Sequence, residues 1–166
     1  MFNLLEMDNS IDALSVAEKY FRNADHMIFV TYSLLNDVRL FPTVIHDLYE
    51  GFIQTLNAIL IHDGDLKKGY DSANVRGLIY LAESKVFRKY KISSDFISVI
   101  KTVVEFEEAI SSSKTHFIRE NRFVVCSKNY NLKTIDLNLI KKYNVVAKDF
   151  FKKIKEVVMN NEGKSL

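Results

Sequence analysis

Apolar residues recur along most of this chain at intervals of three and four, which is the spacing of amphipathic α-helices. Five stretches show this pattern, and turn-forming or polar residues separate them. Asn9 or Ser10 is suited to cap the first predicted helix. Its buried face is predicted to carry six residues, namely Leu14, Ala17, Phe21, Ala24, Ile28 and Leu35.

The second predicted helix begins at Pro42, because proline is favoured in the first turn of a helix. Phe41 is expected to be extended, since the residue before a proline avoids the helical region. The helix is predicted to run to about His62, and Gly64 is suited to end it. The connection to the first helix is short, which makes the two helices antiparallel neighbours.

Three further helices follow from the same spacing. Asp71 or Ser72 is suited to cap the third helix, which is predicted to reach Tyr90. A Ser-Ser-Asp cluster ending at Asp95 precedes the fourth, and Asp136 precedes the last. The pattern predicts an all-α protein, an antiparallel up-down bundle of about five helices that forms a single domain over residues 1–166.

The segment between the last two helices breaks the helical pattern. Residues 123–127 and 132–135 contain Phe, Val and Thr, which favour strands, and Asn residues lie between them. These runs are predicted to pair as a small hairpin, with an irregular loop over 122–135 as the alternative. Either form is expected to hold Arg119 and Arg122 near Tyr130 at the start of the last helix.

Composition supports one globular domain. The chain has 166 residues, of which 48% are hydrophobic and 27% charged, and only five glycines and one proline are available to turn it. No apolar run reaches the roughly 18 residues that span a bilayer, and no secretory signal begins the chain. A cytoplasmic protein with no membrane association is therefore expected. Cys126 is the single cysteine, so neither an intramolecular disulfide nor a cysteine-based zinc site is expected.

Charge is distributed unevenly along the chain. Residues 1–113 carry a net charge of −5, whereas residues 114–166 carry +7. A basic third of this kind is typical of a surface that binds RNA or an acidic protein, although lysines also solvate ordinary helices. The candidate anion- or RNA-binding residues are Arg119, Arg122, Lys128, Tyr130 and Lys133. The alternative for the two arginines is a set of salt bridges to Glu107, Glu108 or Glu120.

Two patches of sequence resemble the HEPN proteins. One is LNAILIHDG, residues 56–64, which resembles the alanine- and leucine-rich end of the second helix in that family. The other comprises RENRF at residues 119–123, then Tyr130, then TIDLNLI at residues 134–140. It is similar to the HEPN region in which an arginine, a polar residue, a histidine and a tyrosine precede the final helix. The order of helices is also similar over most of the chain.

The resemblance implies a function as well as a fold. In active HEPN ribonucleases an arginine and a histidine flank the scissile phosphate at a dimer interface. No histidine follows Arg119 or Arg122 at the family's usual spacing. The resemblance therefore implies a non-catalytic binding or regulatory protein, expected to be a homodimer and to need no cofactor. A metal-independent ribonuclease with a rearranged site that uses His116 or Tyr130 is the alternative.

Three neighbouring His and Asp pairs indicate a different chemistry. The pairs are Asp25–His26, His46–Asp47 and His62–Asp63, and ILIHDGD from Ile59 resembles the central motif of HD-type metal-dependent phosphohydrolases. In that alternative His26 is the first metal ligand and Asp95 a late one. Adjacent His and Asp side chains point to different sides of a helix, so histidines at helix ends explain the same residues without metal.

Three other interpretations remain. Cys126 lies in an apolar run, where a small buried side chain is more typical than a nucleophile. Aromatic residues of the first two helices are expected in the core rather than in a ligand pocket, namely Tyr20, Phe21, Phe29, Tyr32, Tyr49 and Phe52. A structural subunit of a larger complex is the last alternative.

Overall fold

The structure, a computed structural model, describes residues 4–65, 74–113 and 115–160, and most of these residues are helical. Helix α1 (Leu4–His26) continues through a π-helical stretch (Met27–Thr31) into the short helix α2 (Tyr32–Leu35). A 3₁₀ turn then leads into the next long helix. The remaining elements are α3 (Phe41–His62), α4 (Val75–Leu81), a second π-helical stretch (Ala82–Phe87), α5 (Asp95–Ser112), β1 (His116–Arg119), β2 (Arg122–Cys126), β3 (Leu132–Ile135) and α6 (Leu137–Asn160).

Helix α3 forms the centre of the bundle. It is apolar around most of its circumference, so it must be covered on several sides. Helices α1, α5 and α6 pack directly against it, and α4 also contacts it. None of the helices among residues 4–65, 74–113 and 115–160 is long and apolar enough to cross a bilayer. The side chains fully buried at the centre include Phe41, Ile45, Leu48, Phe52, Leu56, Ile59 and Leu60.

Small residues allow α1 and α3 to approach closely. Gly51 lies against the Phe21 ring so tightly that a Cβ atom there would be 2.4 Å from Phe21 Cε1. Near the other end of the contact, the buried Ser10 hydroxyl donates a hydrogen bond of 2.8 Å to the Ala58 carbonyl. Ser10 therefore joins two helices from inside α1. The prediction that Asn9 or Ser10 caps the first helix was wrong, because α1 already begins at Leu4.

The π-helical stretch after His26 changes which face of the first helix is buried. Leu14 to Ile28 follow the predicted buried face, but Leu35 is 63% exposed. A π-helical turn holds an extra residue, so residues beyond it are rotated relative to an ideal α-helix. Phe41 also differs from the prediction: its backbone is helical, with φ −60° and ψ −41°. The 3₁₀ turn before it starts the helix one residue ahead of Pro42, and Phe41 packs against Tyr32.

Other predicted helix boundaries are confirmed. Helix α3 ends at His62, and Gly64 adopts the left-handed conformation with φ +78°. The Asp136 carboxylate accepts a hydrogen bond of 2.8 Å from the Leu139 backbone N–H at the start of α6. The predicted caps Asp71 and Ser72 lie outside the described residues.

The segment before α6 forms a three-stranded antiparallel sheet in the order β1-β2-β3. The hairpin predicted between residues 123–127 and 132–135 is confirmed by pairing of β2 with β3. The all-α prediction was therefore right only in that the protein is mostly helical. Strand β1 was not predicted. All four of its residues are exposed, so its sequence HFIR lacks the alternation of apolar and polar residues that marks a half-buried strand.

The two faces of the sheet have different environments. Phe123, Val125 and Ile135 point into the hydrophobic core, so the bundle covers this inner face. Phe117, Arg119 and their cross-strand partners Val124 and Arg122 point the other way. We call this second face the outer face. It carries the side chains that the core does not use.

Replacing Gly51 by Ala should destabilise the fold. The methyl group would overlap the Phe21 ring, and we expect the free energy of unfolding to fall by about 1–3 kcal/mol despite the better helix propensity of alanine. Urea denaturation measures this change. In a Phe21→Leu background the same substitution should cost less, and an equal cost in both backgrounds would contradict the close contact.

Candidate anion-binding site

Two arginines flank the tight turn that joins β1 to β2. The turn consists of Glu120 and Asn121, which both have positive φ angles of 52° and 58°. This is the backbone of a type I′ hairpin turn. Asparagine adopts it readily, whereas glutamate does so at a cost of about 1 kcal/mol. The turn places Arg119 directly opposite Arg122.

The arginine pair is exposed, and no carboxylate among the described residues neutralises it. Cross-strand partners project from the same face of a sheet, so both guanidinium groups lie side by side on the outer face. Neither side chain makes a salt bridge or a side-chain hydrogen bond to any residue that the structure describes. Two like charges are therefore held together without internal compensation.

The carboxylates expected to pair with these arginines have other partners. Glu107 Oε1 lies 2.8 Å from His46 Nδ1, and Glu108 Oε2 lies 3.0 Å from Arg76 Nη2. Both contacts join α5 to a neighbouring helical segment. Glu120 makes no ion pair within the described ranges. The expectation that Arg119 and Arg122 form salt bridges to these glutamates was wrong.

The other predicted binding residues do not join the arginine pair. Lys128 and Tyr130 lie in the turn between β2 and β3, at the opposite end of β2 from Arg122. Five strand residues span roughly 15 Å, so one small anion cannot touch both ends. Tyr130 is 90% exposed, and Lys128 lines a cleft of about 600 Å³ together with Arg76 and Glu108.

Lys133 is engaged elsewhere. Its Nζ atom lies 3.2 Å from Glu105 Oε2 and 5.4 Å from the centre of the Phe106 ring. It pairs with Val125 across β2 and β3, so it belongs to the row of inner-face residues. The expectation that Arg119 and Arg122 lie near Tyr130 at the start of the last helix was wrong, and among the five candidate residues only the two arginines form a compact group.

His116, the histidine of the rearranged ribonuclease alternative, lies on the opposite face of the sheet from Arg119 and Arg122 of the same chain. His116 is opposite Val125, and its ring stacks on the Phe123 ring with centroids 5.4 Å apart. It therefore projects from the inner face, whereas Arg119 projects from the outer face. Cys126 is half-buried, with its sulfur 3.7 Å from the Ser127 carbonyl oxygen.

The metal ligands of the HD-type alternative are far apart. Ser10 of α1 meets Ala58 of α3, so His62 lies near the start of α1, whereas His26 ends that helix. At 1.5 Å per residue, the two histidines are separated by roughly 25–30 Å along the bundle. Within residues 4–65, 74–113 and 115–160, no three His, Cys, Asp or Glu side chains come together as a group that could hold a metal ion.

Asp63 is instead held by two donors from the third helical segment. Lys89 Nζ and the Tyr90 hydroxyl lie 2.6 Å and 2.7 Å from Asp63 Oδ1. Burial opposes ionisation of this carboxyl, but the two hydrogen bonds outweigh burial and lower the pKa of Asp63. These contacts explain the HDGD sequence as a connection between α3 and the segment after α4.

One potential binding residue was not predicted from the sequence. Phe117 lies on the outer face, two residues from Arg119, and is 39% exposed. A Glu-Asn pair between HFIR and RFVV was the available signal, because asparagine between two strand-like runs is typical of a hairpin turn. That turn would have placed Phe117 and both arginines on one face.

Removing the Glu107 carboxylate should destabilise the protein more at low pH. The hydrogen bond that the His46 ring donates to the Glu107 carboxylate raises the pKa of His46, against the opposing effect of burial. Protonated His46 contributes its full stabilisation of the fold below its unfolded pKa of about 6.5. This stabilisation is lost as the pH rises through the raised pKa of His46 in the folded protein. Because half of the His46 side chain is exposed, the effect should be about 0.5 kcal/mol.

Chemical denaturation of wild type and Glu107→Gln at about pH 5.5 and about pH 8.5 measures this effect. We expect the difference in unfolding free energy to be larger at the lower pH. An equal difference at both pH values would show that the proton on His46 does not contribute.

The arginine pair on the outer face is thus the group of candidate residues that the fold brings together. A scan against models of known protein families finds no match to this chain, and a search of the curated proteins finds none either. Function is therefore inferred from the geometry of Arg119, Arg122 and Phe117.

Proposed function

We propose that this chain is a non-catalytic, HEPN-like binding protein that holds RNA on the outer face of its small sheet. The observation that carries the proposal is the uncompensated pair of Arg119 and Arg122 across a tight turn. Like charges directly opposite each other destabilise a pair of strands. A bound phosphate would remove this repulsion and replace water at two guanidinium groups.

Arginine is well suited to this role. Its planar guanidinium donates two parallel hydrogen bonds to a phosphate and is less strongly hydrated than the ammonium of lysine. Glu107 and Glu108, the α5 carboxylates considered as partners, are bound to His46 and Arg76 instead. Phosphate is therefore the anion that best fits these two side chains.

Phe117 favours RNA over an acidic protein. Its partly exposed ring lies on the same face of β1 as Arg119, about 7 Å along the strand. Single-stranded RNA offers unstacked bases that stack on aromatic rings while cations bind the backbone. An acidic protein surface would use the charges but has no need of the ring.

A binding role rather than cleavage is supported by the position of His116. General acid–base cleavage of RNA needs a group that can transfer a proton near the phosphate. His116 projects from the inner face and stacks on Phe123, away from the arginines on the outer face. The arginine pair can hold a phosphate without this help.

The test compares two double variants that remove the same charge. The Arg119→Thr, Arg122→Thr double variant should bind a short single-stranded RNA at least about tenfold more weakly. The slope of log K against log salt concentration should become smaller in magnitude by about 0.7 for each phosphate that is no longer neutralised. Lys152→Thr with Lys153→Thr removes two exposed cations from α6 and should have little effect. Fluorescence anisotropy at several salt concentrations measures both.

Stability provides the folding control. Because the arginine variant removes a like-charged pair and adds threonines, which favour strands, its melting temperature should be equal to or above that of wild type. Unchanged RNA affinity in this folded variant would refute the proposal. An equally weakened affinity in the lysine variant would indicate non-specific charge attraction instead.

Two further outcomes distinguish the alternatives. Phe117→Ala should weaken RNA binding but leave binding of polyglutamate unchanged, and stronger binding of polyglutamate than of RNA would indicate an acidic protein partner. The RNA should be recovered intact after incubation with the pure protein. Cleavage that disappears in Arg122→Ala would support the ribonuclease alternative.

A further inference from the structure

The outer edge of strand β1 pairs with no other strand that the structure describes. The Cys126 N–H donates to the Thr115 carbonyl across the β1–β2 pair. Hydrogen bonding alternates along an antiparallel pair, so Phe117 and Arg119 also direct their backbone groups toward β2. The N–H and C=O groups of His116 and Ile118 therefore point away from the sheet. Among the described residues they have no hydrogen-bond partner.

The usual protection of an edge strand is weak here. Proteins blunt open edges with charged side chains, prolines, bulges or a covering segment. Strand β1 pairs with β2 without a bulge, and its residues are His, Phe, Ile and Arg. Ile118 is 49% exposed and Phe117 is 39% exposed. An open edge with exposed apolar side chains on both faces is suited to receive another strand.

We propose that β1 pairs antiparallel with β1 of a second copy of this chain, so that two sheets join into one of six strands. In this arrangement His116 of each copy forms both hydrogen bonds with Ile118 of the other. Phe117 lies on the two-fold axis opposite its own counterpart. All four outward backbone groups of each copy are then satisfied.

The sequence of β1 is complementary to itself in this alignment. Phe117 meets Phe117 in a non-hydrogen-bonded pair, where side chains approach most closely and aromatic pairs are favourable. Arg119 falls opposite Thr115 rather than opposite another arginine, so like charges are not paired. Shifting the alignment toward the turn would require Glu120 to pair as a strand residue, but its φ of 52° is not that of a strand. This self-complementarity identifies the partner as a second copy.

The dimer would also complete the outer face. Both copies keep their helices on the inner side, since an axis perpendicular to the sheet preserves its faces. The joined outer face then carries two arginine pairs on either side of two central phenylalanines. That consequence rests on the proposed RNA binding, whereas the strand pairing itself does not.

The proposed contact between the two β1 strands is small, and its size sets the expected affinity of the dimer. Stable complexes usually bury more than about 1,200 Å², which a pair of four-residue strands does not reach alone. We therefore expect a reversible dimer with a dissociation constant in the micromolar range. Sedimentation velocity over a series of concentrations should show a monomer of 19.2 kDa and a species of twice that mass.

A proline substitution tests the open edge directly. Because the Ile118 N–H points away from β2, Ile118→Pro removes a bond between copies without removing one within the sheet. Dimerisation should weaken by at least about tenfold. Ile118→Thr removes the same apolar side chain but keeps the N–H, so it should dimerise more strongly than the proline variant. Circular dichroism confirms that both remain folded.

A disulfide at the axis gives a second test. In a Cys126→Ser background, Phe117→Cys places two thiols opposite each other at a Cα separation of about 4.5 Å, which a disulfide can bridge. Oxidised glutathione should convert this variant to a covalent dimer. Arg119→Cys is the matched control on the same face of the same strand. Its two copies lie more than about 10 Å apart in the proposed pairing and should not cross-link.

Both tests are made without RNA, so their result does not depend on the proposed binding. A wild type that remains monomeric up to high micromolar concentration would overturn the strand pairing. Equal dimerisation of wild type and a folded Ile118→Pro variant would also overturn it. Cross-linking through Arg119→Cys as efficiently as through Phe117→Cys would refute this alignment.

Discussion

The burial of α3 on nearly all sides is the constraint from which the rest of the architecture follows. A helix with apolar residues around its circumference cannot lie at a surface, so other helices must enclose it. Helix α1 approaches closely through Gly51 and the small residues near it. Helices α5 and α6 cover other sides, and aromatic rings such as Phe52 and Phe150 fill the space between them.

The small sheet serves this core on one side and leaves its other side available. Phe123, Val125 and Ile135 extend the hydrophobic core, which fixes the register and direction of the strands. With the register fixed, alternation places Arg119 and Arg122 away from the bundle. The same packing that stabilises the sheet therefore presents its cations to solvent. Within the part of the chain that the structure describes, the edge of β1 is uncovered, because the bundle contacts mainly β2.

Acidic residues of α5 pair with cations other than the two arginines. Three glutamates of α5 connect this helix to α3, α4 and β3. Glu105 holds Lys133, Glu107 holds His46, and Glu108 holds Arg76. Glu120 lies in the turn between the two arginines but makes no ion pair with any residue that the structure describes, so the cations at the hairpin tip are not neutralised there. The net charge of a sequence segment does not show which acidic side chain pairs with which basic one.

Hydrophobic spacing by itself determined the helices, the antiparallel order of the first two and most of the core, because helical periodicity is a local property. The basic composition of the C-terminal third identified the arginines as candidates. Only the tertiary structure decided that they are paired across a turn while Lys128 and Tyr130 lie at the far end of β2. Strand pairing, the π-helical rotation that exposes Leu35 and the choice of ion-pair partners depend on contacts between distant residues. Such contacts leave no periodic trace in the chain.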